Sequence, residues 1–249
     1  MSNNVRKNYG GSIDSAVKGE RILDLKAVLK EGWQLTQTTK RALLHGVFFI
    51  VALGFLLILL LQVVFNVSEL QQAPASMHIA LNLLFTVITA PLMTAMMLMG
   101  MAHSVGQSFL FITLAKRLIG SALLVLAALM VAVLVDLGLK LFVLPGIYLL
   151  MATAFTLPLL ADKKLRPGAA ILLSIRVFNR YWAQLVPFYL LSFVLVLIGI
   201  FTFFIGYIWI VPFYFNSKGV LYRELFGIEV ESDSIDNNNN NKDESVFHA

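Results

Sequence analysis

"LKLFVLPGIYLL", residues 139–150, lies in the middle of a long apolar run and decides how the chain is threaded. From Leu118 to Ala161, 44 residues, the only Lys, Arg, Asp or Glu are Asp136 and Lys140. As one helix this run would be about 66 Å long, more than twice the roughly 30 Å of a hydrocarbon core. It therefore predicts two crossings joined by a turn. The turn belongs where burial costs most, at Asp136 and Lys140. Pro145 then fits the first turn of the next helix, where its missing N–H is not needed.

Working outward, Leu43–Phe65 is the clearest span, and Ile79–Ala102, with Pro91 inside it, is the second. A membrane helix tolerates proline when neighbouring groups satisfy the freed carbonyl. The opening stretch supplies spans over about 118–137 and 144–160. The last apolar region, 185–215, would make a helix of about 46 Å, again too long for one crossing. Gly199 and Gly206 flank the expected turn, giving spans near 185–201 and 204–222. Lys and Arg test this threading. Eight precede the first span, two fall in 104–117, five in 162–184 and three in the C-terminal part from Lys218 onward, with only Lys140 in an intervening loop. This bias places both termini on the cytoplasmic side.

Composition agrees. Of 249 residues, 59% are hydrophobic and 13% charged, with mean hydropathy +0.82. Soluble domains carry about 25% charged residues. There is no cysteine, which excludes disulfides, thiolate metal sites and cysteine nucleophiles. No short apolar core follows Met1, so a cleavable signal peptide is not expected. The net charge of +5 sits beside apolar runs, so no nucleic-acid partner is expected.

Two segments read as basic amphipathic helices in the membrane interface. In "ERILDLKAVLKEGWQLTQTTKR" (20–41), Ile22, Leu25, Leu29 and Trp33 recur near helical spacing, with lysines between them. In "PGAAILLSIRVFNRYW" (167–182), Pro167 suits a helix start, Arg176 and Arg180 are four apart, and Tyr181 and Trp182 suit headgroup depth. Residues 1–20 and the acidic, Asn-rich 228–249 read as disordered.

"VLPGIYLLMATAFTLPLLADKKLRPGAAILLSIRVFNRYWAQL" (143–185) resembles a segment shared by the YciC-like group of bacterial inner-membrane proteins and by related membrane domains, some fused to glycerophosphodiester phosphodiesterases. The matching residues are Pro145, Gly146, Pro158, Asp162, Ser174, Arg176 and Trp182. Ile175 stands where those proteins usually carry an aromatic residue. "GYIWIVPFYFNSKGVLYRELFG" (206–227) resembles their ending through Gly206, Pro212 and Tyr222–Gly227. The resemblance implies a helical inner-membrane fold and brings no reaction with it.

Candidate chemistry is sparse. Asp136 and Lys140, at i and i+4, would make an ion or proton site if buried. At a helix end they make an interfacial pair worth roughly 0.5 kcal/mol, and the threading favours that. "MTAMMLMGMAH" (93–103) has the soft ligands of a Cu(I) site. On a helix Met97, Met99 and Met101 diverge, however, so packing is the better reading. Asn82, Thr86, Thr89 and Pro91 outline a polar path along the second span, or hydroxyls bonded within their own helix. No metal, cofactor or catalytic constellation emerges.

The expectation is an all-α polytopic bundle of six transmembrane helices with two basic interfacial helices, without enzymatic activity. It would serve envelope maintenance or scaffolding in the bacterial inner membrane through lipids, a protein partner or a second copy. Lys163, Lys164, Arg176, Arg180 and Trp182 are the expected headgroup contacts. A small-solute or lipid transporter using Asn82, Thr86, Thr89 and Pro91 is the alternative, and an accessory subunit of a membrane enzyme a third.

Overall fold

The computed structural model describes residues 6–64 and 74–231. The elements run β1 (Arg6–Tyr9), α1 (Ile13–Lys18), α2 (Leu25–Val64), α3 (Ala75–Ser104), α4 (Phe111–Leu118), α5 (Ala122–Leu141), α6 (Val143–Ala152), α7 (Thr156–Lys163), α8 (Pro167–Arg180), α9 (Trp182–Phe201), α10 (Tyr207–Phe226) and β2 (Ile228–Glu231). The fold is the expected all-α helical bundle. Among the described residues, five stretches are long and apolar enough to cross a membrane: Leu25–Val63, Ser76–Ser104, Ala122–Leu141, Val143–Lys163 and Trp182–Phe201. The helices are those of a multi-pass membrane protein. α10, which covers most of the expected sixth span, is not among the five.

The first amphipathic segment is not a separate helix in the interface plane. It continues into the first span as one 40-residue helix, α2. No proline interrupts it, and backbone hydrogen bonding is indifferent to the change from amphipathic to wholly apolar sequence. Ile22 lies outside the helix and is fully exposed. The N-terminal half of α2 buries Val28, Gly32, Thr36 and Leu43, whereas its most apolar window is almost bare.

α10 packs between that N-terminal half and the C-terminal half of α3. Glycines set the spacing. A Cβ on Gly219 would stand 2.6 Å from the Met101 nitrogen and nearer still to the Gly100 carbonyl, and one on Gly32 would stand 2.8 Å from Ser217 Cα. Small residues let helix backbones approach where lipid supplies no hydrophobic drive for association. Met96, Met97, Met99 and Met101 are buried beside this contact as packing.

The turn in the opening stretch comes later than expected. α5 runs past Asp136 and Lys140 and reverses at the single extended residue Phe142 (φ −156°, ψ 147°). The Asp136–Lys140 pair is made, at 2.7 Å, on an exposed helix face. The glycine of the Pro-Gly pair lets the hairpin close, because a Cβ on Gly146 would fall 2.7 Å from the Leu139 nitrogen. Pro145 is the third residue of α6, where no intrahelical N–H bond is missed. Leu118 belongs to α4, a helix separate from the third span.

The final apolar region divides at Thr202–Gly206, where its glycines place the turn, into α9 and α10. The N-terminal segment expected to be disordered carries β1 and the Ser12-capped α1. β1 pairs antiparallel with β2, Arg6 opposite Glu231 and Tyr9 opposite Ile228, so the two ends of the described chain lie side by side. The tail 232–249, and most of the polar loop after the first span, fall outside the described residues.

Candidate functional site

Lys163, Lys164, Arg176, Arg180 and Trp182 lie on one continuous piece of chain, from the end of α7 through α8 into α9. α8 has Pro167 at its first position and buries Ala170, Ile171, Ser174, Val177 and Phe178. That spacing of three and four makes one face. Arg176 and Arg180 are exposed.

A single hydroxyl fixes that face. Pro158 has no N–H, and its ring excludes a helical carbonyl at Ala154, so the helix breaks between α6 and α7. Ser174 Oγ donates to the Ala152 carbonyl at 2.6 Å and accepts from the Phe155 N–H at 3.3 Å. Two backbone groups freed by the break are thus satisfied from α8.

Beside this joint a groove of about 520 Å³ opens between α6, α8 and α9. Ile147, Met151, Phe178 and Val186 give it apolar walls. Its polar groups come from Tyr148, whose hydroxyl donates to Asn179 Oδ1 at 2.6 Å, and from Trp182, which is 62% exposed. The Tyr148 ring meets Phe178 edge-on at 5.7 Å.

The four cations divide. Lys163 is turned inward, 3.3 Å from Asp162, which also accepts from the Tyr222 hydroxyl at 2.8 Å. Arg180 donates to the Lys18 carbonyl at 2.9 Å and so holds the end of α1 against α8. Lys164 and Arg176 are exposed, with no hydrogen bond or ion pair among the described residues. Lys164 caps the end of α7 in the left-handed region, before α8 begins, whereas Arg176 lies in the tenth position of α8. Tyr181 is buried rather than interfacial, and its hydroxyl accepts from the Arg21 N–H at 3.3 Å.

The expected polar path is not brought together. Thr86 donates to the Asn82 carbonyl at 2.9 Å, and Thr89 to Phe85 at 2.8 Å. Each hydroxyl is spent within α3. Pro91 is buried in the same helix, and none of these residues lines the groove.

The densest polar contacts lie elsewhere. At the α2–α3–α10 junction Asn216 Nδ2 donates to Thr36 at 3.2 Å and to Thr39 at 3.1 Å, while its Oδ1 stands 2.9 Å from His103 Nδ1. With Asn216 donating to both threonines, its oxygen accepts, so His103 carries its proton on Nδ1. Arg223 then closes the end of the junction. It grips Glu31 with two bonds of 2.6 and 2.8 Å, donates to the Ser104 carbonyl at 2.5 Å, and reaches Glu224 at 2.9 Å. The bonds to Glu31 push its pKa further up, so the clamp stays charged. The Tyr222–Gly227 motif contained Arg223, but its partner Glu31 is 192 residues away and carried no signal.

Comparison of the chain with protein-family models, with curated proteins and with solved structures finds no match.

Proposed function

We infer that this is a non-enzymatic protein of the bacterial inner membrane, with both termini cytoplasmic. It acts by holding anionic lipid, or a partner that presents it, against the α8–α9 elbow, in an envelope-maintenance or scaffold role. The observation that carries this reading is the groove. An apolar channel beside apolar helices, edged by the Tyr148–Asn179 pair and exposed Trp182, with Arg176 free on the same helix, suits an acyl chain below a phosphate. Arg180 and Lys164 extend the positive field. Lys163 contributes least, because Asp162 already neutralises it.

Two observations support the placement. Every Lys and Arg outside Lys140 falls on one side of the expected threading. The β1–β2 pairing keeps the two ends of the described chain together, as an even number of crossings does. The likeness to the YciC-like group points the same way.

The test uses purified protein in detergent and native mass spectrometry with added phosphatidylglycerol and phosphatidylcholine. Wild type should retain the anionic lipid preferentially, and Arg176→Ala should lose that preference. Arg180→Lys controls for the bond to α1. Undiminished preference in an Arg176→Ala, Trp182→Ala double variant overturns the reading.

A further inference from the structure

We propose that α9 and α10 form a re-entrant hairpin whose tip, Phe201–Ile205, inserts into the acyl chains of the leaflet nearer the termini and turns back without reaching the far face. The proposal requires only that α2 crosses the membrane over Leu43–Val64. It does not depend on the lipid reading of the groove.

The contact register of α10 comes first. Arg223 meets Glu31 at 2.6 Å, and Gly32 lies against Ser217. Trp33 meets Phe213 at 6.0 Å between ring centres, and Lys40 Nζ lies 5.5 Å from the Trp209 ring centre. α10 therefore runs antiparallel to residues 31–40 of α2, and its first turn stands level with Lys40. The apolar run of α2 only begins at Leu43 and continues for about 33 Å to Val64. A hairpin whose turn begins three residues beyond Trp209 enters the same layer and falls well short of its other side. α9 alone is long and apolar enough to cross, but a five-residue turn binds it to α10, so the two cross together or not at all.

The tip itself is built for hydrocarbon. No Lys, Arg, Asp or Glu occurs from Trp182 to Ser217. Phe201 is 82% exposed and Phe203 87% exposed, with Phe204 and Ile205 close behind. A turn in water is made from Gly, Asn, Asp or Ser and leaves N–H groups to solvent. Here Phe203 and Phe204 occupy the left-handed region at φ 50° and 68°, which side chains of that size rarely adopt. Every backbone N–H from Thr202 to Ile210 nevertheless finds an acceptor within the hairpin. Thr202, the only hydroxyl of the turn, donates to the Gly199 carbonyl at 3.0 Å and accepts from Gly206 N–H at 3.1 Å. The Tyr207 hydroxyl returns to the Val196 carbonyl at 3.0 Å. An aqueous turn has no need of such closure, whereas backbone in lipid does.

The absence of cysteine makes the test direct. Single variants Phe203→Cys, Ser76→Cys and Lys164→Cys of the full chain are exposed to a membrane-impermeant maleimide in membranes sealed in either orientation. The cysteine at 164 should react from one face, that at 76 from the other, and that at 203 from neither. A fluorophore placed at 203 by a permeant reagent should be quenched by nitroxide on the acyl chains and not by aqueous iodide. Ile205→Cys repeats the measurement if the 203 variant does not fold. Labelling of 203 from the face that labels 76 overturns the proposal, because α10 then crosses. Labelling from the face that labels 164, or disulfide formation between two copies at 203, also overturns it, because the tip then lies in water or against a second chain.

Discussion

Gly219→Ala adds one methyl group where the backbones of α10 and α3 approach each other closely. Its Cβ would stand 2.6 Å from the Met101 nitrogen, against the roughly 3.4 Å at which ordinary contact begins. The Gly100 carbonyl is nearer still, so the two backbones must part by on the order of 1 Å. Overpacking a core with one or two carbons costs about 1–3 kcal/mol when side chains can move aside. Here the obstacle is main chain, so the upper part of that range, about 3 kcal/mol, applies. Gly54→Ala supplies the contrast, because a Cβ there meets nothing within 4 Å. It should gain the helix-propensity difference, about 0.5–1 kcal/mol. Gly219→Ala shares that gain, so the two variants should differ by about 3 kcal/mol in the free energy of reversible unfolding, measured by SDS titration in mixed micelles. Gly100→Ala opens the same gap, since its Cβ would fall 2.7 Å from the Phe215 carbonyl carbon. The double variant should therefore cost clearly less than the sum of the singles. If Gly219→Ala unfolds with Gly54→Ala, the α3–α10 contact does not exist as described.

Arg223→Ala leaves Glu31 beside a half-buried surface without its partner and should destabilise by about 1–3 kcal/mol, discounted from a fully buried pair for the exposure of Glu31. Adding Glu31→Ala should recover part of that loss in the same titration. Ser174→Ala leaves both the Ala152 carbonyl and the Phe155 N–H without the hydroxyl they bond, at about 1–3 kcal/mol. Lys140→Ala removes an exposed pair and should change stability by no more than about 0.5 kcal/mol. A loss like that of Arg223→Ala would mean that Asp136 is buried.

Local chemistry was legible in the sequence where it decides the structure alone. Pro167 starts α8, and Gly199 and Gly206 flank the turn before α10. What failed was decided across distance. Charge pointed to Asp136 and Lys140 for the hairpin turn. Lys140 can hold its head group away from the apolar surface, however, and the reversal follows where Gly138 and Gly146 let two backbones meet. β1 and β2 are four residues each and mean nothing until paired. Polarity in 20–41 read as a helix lying in the interface, yet its Thr36, Thr39 and Glu31 are polar because α10 supplies partners for them. The candidate site was legible as a stretch of chain, 163–182, but not as a set. Which cations remain free depends on Asp162 and on the Lys18 carbonyl, and neither pairing has a sequence pattern.

These contacts share one location. The Asn216 network, the Arg223 clamp, the Tyr222–Asp162 bond, the Ser174 joint and the β1–β2 pair all gather around α10 and the ends of the chain. Away from them, few residues in the most apolar stretches of α2 and α9 are buried. In water that division would be impossible, because hydrophobic surface drives association wherever it is exposed. In lipid it is expected, since acyl chains cover leucine as well as another helix does, and only close packing and hydrogen bonds distinguish one helix partner from another. Helix order is therefore set at the polar end, and the apolar ends of α2, α3, α5 and α9 are left for lipid to cover. Lipid at the α8–α9 elbow, as proposed, would touch a place where both regimes meet: a groove with apolar walls beside residues tied, through Ser174 and Arg180, to the polar end. Occupation of the groove should accordingly raise the midpoint of unfolding for wild type and do so less for Ser174→Ala, in which α8 no longer bonds the break between α6 and α7.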